Sequence, residues 1–385
     1  MVRNLIHIYQ WANRHSGKLF IFGLIGVSVY NLYQWKQYGK FSERKTQLDY
    51  LPPTESWLKR PKVSVLVAAW NEAALIKQHI NSFFSLRYPH KELIICAGGS
   101  DETYSIAQSS ATEDVIVLQQ TLGQGKQRAL RTCFRECTGE IIYLTDADCI
   151  LDDESFERVI YPIACGEEDA CSGGSLPFED SLCHPLVAIQ AACDYVQFTN
   201  PDGPQYYPGL LGRNCALRKK VIHSVGEFVS NAPTGTDYLL AKQVSRNNIR
   251  IKQVRNSLIR TEYPQKSKDY IMQKRRWHRN VILYSMKYKN PNEFIRSTLL
   301  SIVSVFMLLL PFCSLGLGFK IIYLWLLPLL FGILSRKRYL QIWGSTSKSK
   351  TPIGSRWLLH SLFLDFIGWS FAFLDIISPR QRYTW

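Results

Sequence analysis

The chain has 385 residues, 46% of them hydrophobic, 20% charged and 13% aromatic, which is too long and too apolar for a disordered tail or a disulfide mini-protein and enough for one large or two ordinary folded units. The formal charge is +15, which on its own points to nucleic acid or an anionic membrane surface. The excess is uneven: residues 1–62 carry ten Lys/Arg against three Asp/Glu, 259–289 nine against two and 335–356 six against none, whereas 63–258 carry 17 against 23, so the middle of a basic chain is acidic.

Residues 19–35 form an uncharged run of 17 between Lys18 and Lys36. At about 1.5 Å per residue the run reaches roughly 26 Å, enough to span a bilayer. No small-x-small cleavage site follows it and Asn31-Leu-Tyr-Gln-Trp35 has the character of an interfacial edge, so an uncleaved anchor is expected. Beyond a Pro-bearing linker ending at Pro61, residues 63–69 read as a buried strand and 73–84 as a helix. The strand signal recurs at 93–96, 115–118 and 141–144, with helical stretches at 103–109 and 126–135 between. That alternation predicts a parallel sheet with its site at the carboxyl ends of the strands, where Asn71-Glu72, Gly98-Gly-Ser-Asp101 and Thr145-Asp-Ala-Asp148 fall.

No Gly-x-Gly-x-x-Gly follows the first strand and no P-loop occurs, which disfavours a dinucleotide or P-loop fold. Gly123-Gln-Gly-Lys126 reads as a helix-entry turn, and Asp152-Asp-Glu154 as a helix cap. The ten cysteines show neither a CxxC pair nor zinc spacing, so free buried thiols in a reducing compartment are expected.

Asp146 and Asp148 leave a strand end one residue apart. As hard oxygen ligands they could hold a divalent cation, Mg2+ or Mn2+, that neutralises a departing diphosphate; a turn cap is the alternative. Asp237 precedes a predicted helix at 238–246, where it is either an N-cap or a general base for an acceptor hydroxyl. Gln273-Lys-Arg-Arg-Trp277 lies in a basic amphipathic stretch, either a membrane-surface helix or a place where guanidinium and indole grip a phosphate and a sugar ring.

Residues 297–319 are an uncharged run of 23. With a shorter run extended by Phe319 and Lys320, and a third interrupted by Asp365 and Asp375, they suggest spans at about 297–317, 319–335 and 357–377, the last either spanning or interfacial. Basic segments at both ends of the 297–334 hairpin put residues 63–258 in the cytoplasm and the amino terminus outside.

Val63 to Glu72 (ending Ala-Trp-Asn-Glu), Gly99-Ser-Asp101, Gly125-Lys126, Asp146-Ala-Asp148, Gly212-Arg-Asn-Cys-Ala-Leu-Arg218, Thr236-Asp237 and Gln273-x-x-Arg-Trp277 stand in the order seen in membrane-bound family 2 glycosyltransferases. Over about residues 60–285 the chain resembles the branch of cellulose, chitin and hyaluronan synthases and ceramide glucosyltransferase. The resemblance implies a GT-A fold and inverting transfer from a nucleotide-diphosphate sugar, usually UDP-linked. It implies Asp148 as metal ligand, with Asp146 as a donor-side carboxylate sharing the metal, and Glu72, Asp101 and Lys126 in the donor pocket. Asp237 would be the base, and Gln273, Arg276 and Trp277 would contact diphosphate and acceptor. In two places the chain departs from the family pattern: Ala97-Gly98 stands where an acidic pair is common, and Thr236 where Glu usually precedes the base.

The expected organisation is an α/β GT-A nucleotide-diphospho-sugar transferase domain at 61–258 with flanking transmembrane and interfacial helices. An anchor and linker occupy 1–60, basic interfacial helices 259–296 and a transmembrane region 297–385. The expected protein is a multi-pass cell-membrane enzyme with a cytoplasmic catalytic domain that extends a polysaccharide; one sugar added to a lipid acceptor is the alternative, and a non-catalytic sugar-nucleotide scaffold a third. Its partners would be the donor, a polysaccharide or lipid-linked acceptor and membrane lipids, with a homo-oligomer or export partner compatible. Nucleic acid is not expected, because the basic residues flank spans rather than striping a soluble fold.

Overall fold

A computed structural model of the chain describes residues 2–45, 51–228, 235–317, 322–344 and 353–377. The elements in chain order are α1 (Val2–Lys45), β1 (Val63–Trp70), α2 (Ile76–Ser85), β2 (Lys91–Gly98), α3 (Thr103–Gln108), β3 (Val115–Gln119), α4 (Gly125–Glu136), β4 (Ile141–Asp146), β5 (Cys149–Ile150), α5 (Asp153–Ala164) and β6 (Ala170–Pro177). They continue with α6 (Pro185–Thr199), β7 (Cys215–Arg218), α7 (Lys219–Ser224), α8 (Thr236–Arg246), β8 (Lys252–Thr261), α9 (Ser267–Lys287), α10 (Pro291–Leu317), α11 (Ile322–Gly344) and α12 (Ser355–Ile377). Two compact units result. The α/β unit lies within Lys45–Glu179 and Gln197–Tyr263; the helical unit takes in described residues of Met1–Arg44, Asp180–Val196 and Pro264–Arg382.

The apolar runs of the α/β unit become strands because both faces of the sheet are covered. In β1, Val63, Val65 and Val67 pack with Ile76, Ile80 and Phe83 of α2 and Phe156 and Ile160 of α5. On the opposite face Leu66 joins Ile94, Leu130 and Phe134 of α4, and Leu240 and Val244 of α8. Such two-sided burial removes the polar alternation of a surface strand. Each fully buried Val, Leu, Ile or Phe contributes roughly 1.5–3 kcal/mol.

The sheet has eight strands in the order β3-β2-β1-β4-β7-β6-β8-β5. The four expected strands form its parallel half. The expectation of an all-parallel sheet is corrected beyond β4: β7 runs antiparallel to β4 and β6, β6 pairs parallel with β8, and β5 pairs antiparallel with β8. These added strands are short or polar (Cys-Ala-Leu-Arg for β7, Cys-Ile for β5), so the sheet edge already built by β4 organises them rather than their own periodicity.

Direction then decides what meets. Because β7 is antiparallel to β4, its first residue Cys215 pairs with Leu144 and the preceding Gly212-Arg-Asn214 falls at the carboxyl edge of the parallel strands. Thr261 pairs with Cys149 and Pro177, so Glu262 reaches that edge beside Asp148.

Local signals perform as expected in several places. Gly123 and Gly125 adopt φ of 78° and 71° at the entry to α4, a region open to glycine and strained for other residues. Asp152 caps α5 by accepting from Ser155 N at 2.8 Å. The described cysteines are free, with Cys96, Cys133, Cys137, Cys149, Cys171 and Cys215 buried.

In the helical unit, residues 19–35 lie inside the 44-residue α1. Two helices among the described residues are long and apolar enough to cross a membrane, at Pro291–Phe312 and Ser355–Ile376. They contain most of the expected 297–317 and 357–377 runs; the runs at 19–35 and 319–335 are not among them, and residues 318–321 of the expected hairpin turn lie outside the described residues.

Candidate active site

The loop after β1 turns sharply at Asn71, φ 59°. Its side-chain oxygen accepts from Ser100 N at 2.7 Å, tying the ends of β1 and β2 together. Gly99, φ 134°, passes so close that an added Cβ would lie 2.8 Å from Asn71 N, which leaves no room for a side chain. Asp101 completes the brace. Its carboxylate accepts from Thr103 Oγ1 at 2.6 Å, Thr103 N at 3.1 Å and Ala73 N at 3.1 Å, and Thr103 Oγ1 accepts from Glu72 N at 2.7 Å. The bond from Thr103 lowers the pKa of exposed Asp101 despite some desolvation. Its role in the structure is to hold the loop that carries Glu72.

Glu72 is raised to about 7, first by burial and then by the charges of Asp148, Asp146, Glu262 and Asp101. Four carboxylates bear on one partly buried acid, an arrangement that costs free energy unless cations enter. Two are built in. Lys126, on the first turn of α4, forms an ion pair with Asp146, and Arg213 places Nε 3.7 Å from the other oxygen of Asp146. Burial opposes both positive charges, but Asp146 holds each of them above its ordinary value.

Arg213 also donates to Thr261 Oγ1 at 3.1 Å. Its neighbour Asn214 is fully buried and fully used: it donates to Gly174 O at 2.9 Å and to Ser257 O and Oγ at 3.1 and 3.0 Å, and accepts from Tyr143 OH at 3.0 Å. Thus one amide ties β4, β6 and β8 beneath the arginine. The sequence reading assigned no role to Arg213, Asn214 or Glu262. Gly212-Arg-Asn214 stood in the ordered motif set, but Glu262 had no local signal.

Asp146 and Asp148 alternate with buried Ala147 and Cys149. Asp148 Oδ1 accepts a long 3.5 Å contact from the Cys149 thiol. Asp237 is not an N-cap: Gly235 holds that position and α8 begins at Thr236, two residues before the expected start. Asp237 Oδ2 accepts from Gly212 N at 3.2 Å, and Oδ1 from Tyr238 N at 2.9 Å. An added Cβ on Gly212 would stand 2.8 Å from that of Asp237. Residues 229–234, just before Gly235, lie outside the described residues.

Glu72, Asp101, Lys126, Asp146, Asp148 and Asp237 therefore belong to one edge of one sheet. Gln273, Arg276 and Trp277 lie on α9 in the helical unit, where Gln273 Oε1 accepts from Gln190 Nε2 at 3.0 Å and Lys274 Nζ stands 5.4 Å from the Trp277 ring centre. Among the described residues no three His, Cys, Asp or Glu side chains are grouped to hold a metal by themselves. The donor set nevertheless fits a hard divalent cation completed by phosphate oxygens: Asp148 offers a carboxylate at the mouth, whereas both oxygens of Asp146 face cations of the protein.

Residues 64–182 match the family model described as Glycosyl transferase family 2, and residues 141–373 that of Glycosyl transferase family group 2. The second match covers more than half of the chain. The chain belongs to glycosyl transferase family group 2. It is 29% identical over 196 residues to the glycosyltransferase AglE of Haloferax volcanii, covering 48% of this chain and 62% of that protein. It is also 30% identical over 95 residues to a poly-beta-1,6-N-acetyl-D-glucosamine synthase of Staphylococcus epidermidis, 24% of this chain and 23% of that one. The chain thus spans less than two thirds of the length of these relatives.

Among solved structures, the mannosyltransferase PcManGT from Pyrobaculum calidifontis, in complex with GDP-Man and Mn2+, matches with a TM-score of 0.56 at 15% identity, over 94% of this chain and 99% of that one. That likeness shows a shared fold, GT-A-like α/β with a mixed sheet.

Proposed function

We propose that the family group 2 chain is an inverting glycosyltransferase that moves a sugar from a nucleotide-diphosphate donor to an acceptor at a membrane. The observation that carries this reading is the grouping of Glu72, Asp146, Asp148 and Asp237 with Lys126 and Arg213 on one sheet edge. Lys126 and Arg213 supply positive charge for a diphosphate and hold Asp146 in place. A divalent cation bound at Asp148 would supply further charge neutralisation for the leaving group. Asp237 takes the proton as the acceptor oxygen attacks the anomeric carbon, and the carbon–oxygen bond to the diphosphate breaks with its electron pair leaving on the nucleotide. Arg276 and Trp277 contact diphosphate and acceptor, with Gln273 held by Gln190. Asp237→Asn removes the base without changing size, so turnover should fall by roughly 10^2- to 10^4-fold with donor affinity unchanged; normal transfer by this variant sinks the assignment.

The acceptor in this reading is a growing polysaccharide, supported by the Gln273-x-x-Arg276-Trp277 set. Single-sugar transfer to a lipid is the second reading, because the three or four spans expected from the sequence are few for an export channel. The donor is UDP-linked in the first instance, with a GDP-linked sugar the alternative because Ala97-Gly98 offers no acidic side chain. Incubating membranes with labelled UDP- and GDP-sugars and sizing the products separates these: a ladder supports the polymer and one labelled glycolipid the lipid acceptor.

The topology proposed is multi-pass, with the catalytic unit cytoplasmic and the basic segments 259–289 and 335–356 at the inner surface.

A further inference from the structure

Asp365 and Asp375 are 6% and 0% exposed on a largely apolar helix. A buried carboxylate is tolerated only when paired, and a paired one fixes its partner in distance and orientation. Asp375 takes both a 2.7 Å bond from Arg275 Nε and a second bond from the same guanidinium, with Arg279 Nη1 at 3.5 Å. Asp365 accepts from Tyr270 OH at 2.9 Å and pairs with Arg336 of α11. Between the two acids Gly368 lets the helices touch: an added Cβ would stand 2.9 Å from Lys274 Cβ and 3.3 Å from Ile271 O. Contacts advance together along both helices, from Tyr270 with Asp365, through Lys274 with Gly368, to Arg275 and Arg279 with Asp375. The ten-residue separation of the acids covers about 15 Å of axis, and the bonded stretch of α9 encloses Gln273, Arg276 and Trp277.

We propose that Asp365 and Asp375 are positioning residues that lock the register of α9, and with it the placement of Arg276 and Trp277. The inference rests on the reading of those two residues as acceptor and diphosphate contacts. Apolar packing alone would let α9 slide or rotate at little cost. A slip of one turn, about 5.4 Å, would strand two buried carboxylates and at least two guanidinium groups, so this pairing has a single register. The acids that interrupt the apolar run of α12 are then part of the transfer apparatus without touching substrate.

The test uses the full chain in native-like lipid, with turnover, donor KM, acceptor KM and binding of labelled donor measured per folded molecule. Asp375→Asn should lower turnover at least tenfold and weaken donor binding by no more than Arg276→Ala does, and Asp375→Glu should retain at least half of wild-type turnover. Donor binding weakened beyond that of Arg276→Ala, a Glu variant as impaired as the Asn variant, or wild-type turnover in Asp375→Asn would each overturn the proposal. Should Asp375→Asn fail to fold, Tyr270→Phe, which removes the bond from α9 to Asp365, decides: turnover lowered with the fold intact supports register control, and wild-type turnover overturns it. Arg276→Ala separates the two levels. Unchanged transfer in that variant refutes the reading of α9 itself, whereas a large loss there with normal turnover in Asp375→Asn refutes only the positioning role.

Discussion

Glu72 places the strongest electrostatic demand on the site. Its pKa rises from the ordinary 4.5 to about 7 through burial first and then neighbouring carboxylates. Below about pH 4.5 folded and unfolded forms are both protonated and nothing is lost; between about 4.5 and 7 the unfolded chain ionises first, and stability declines until pH passes 7. Glu72→Gln should therefore melt at the same temperature as wild type at pH 4.5 and several degrees higher at pH 8, as read by thermal unfolding. A parallel expectation concerns the cation. Because both oxygens of Asp146 face Lys126 and Arg213, Asp148→Asn should weaken Mn2+ binding in the presence of a nucleoside diphosphate by about 10- to 100-fold, the scale of a lost contact at a metal site, and Asp146→Asn should weaken it less. Calorimetric titration of Mn2+ checks the order. Asp146→Asn should instead lower folding stability by about 1–3 kcal/mol, below the range for a fully buried pair because its partners keep some solvent contact; denaturant unfolding of the two variants separates the roles.

Between β4, β6, β7 and β8 the determining group is Asn214, whose amide joins three strands under Arg213. Asn214→Ala should cost about 2–4 kcal/mol, since it removes the buried partner of Tyr143 OH and of the Gly174 carbonyl in a closed interior, and should also loosen Arg213 from Asp146; denaturant unfolding and donor binding report the two effects. The parallel strands β1 to β4 were legible in the sequence because burial on both faces demands unbroken apolar runs, which are visible as such. The strands that complete the sheet were not. Their segments are two to ten residues long and partly polar, and hydrogen bonding to an existing edge outweighs their own pattern. Asp237 shows the same limit. Its place near the start of a helix was readable, but the bond from Gly212 N that aims it depends on the strand reversal at β7. Arg213 reaches the site for the same topological reason, whereas Glu262 does so because β8 runs parallel to β6 and ends at that edge.

The distribution of charge makes a testable statement about the protein in its surroundings. Three segments hold the basic excess and the α/β region is acidic, so long-range attraction acts on anionic headgroups and the substrate diphosphate depends on local cations. Reconstituted turnover should rise with the fraction of anionic lipid and fall as salt is increased past roughly 0.15 M, where exposed charges are screened beyond about 8 Å. Turnover assayed in vesicles of graded phosphatidylserine content checks it; independence from both variables would remove the headgroups from the account.

Ordered motifs, apolar runs and segmental charge already carried the family, the parallel half of the sheet and six carboxyl-edge residues, because each is written within a few consecutive positions. Tertiary structure alone decided which charged side chains act on one another: Arg213 neutralising Asp146, Glu262 repelling Glu72, and Arg275 and Arg279 neutralising Asp375 lie 67, 190 and about 100 positions apart in the chain. Coulomb energy depends on distance through space and on burial, and neither is a property of the order of residues.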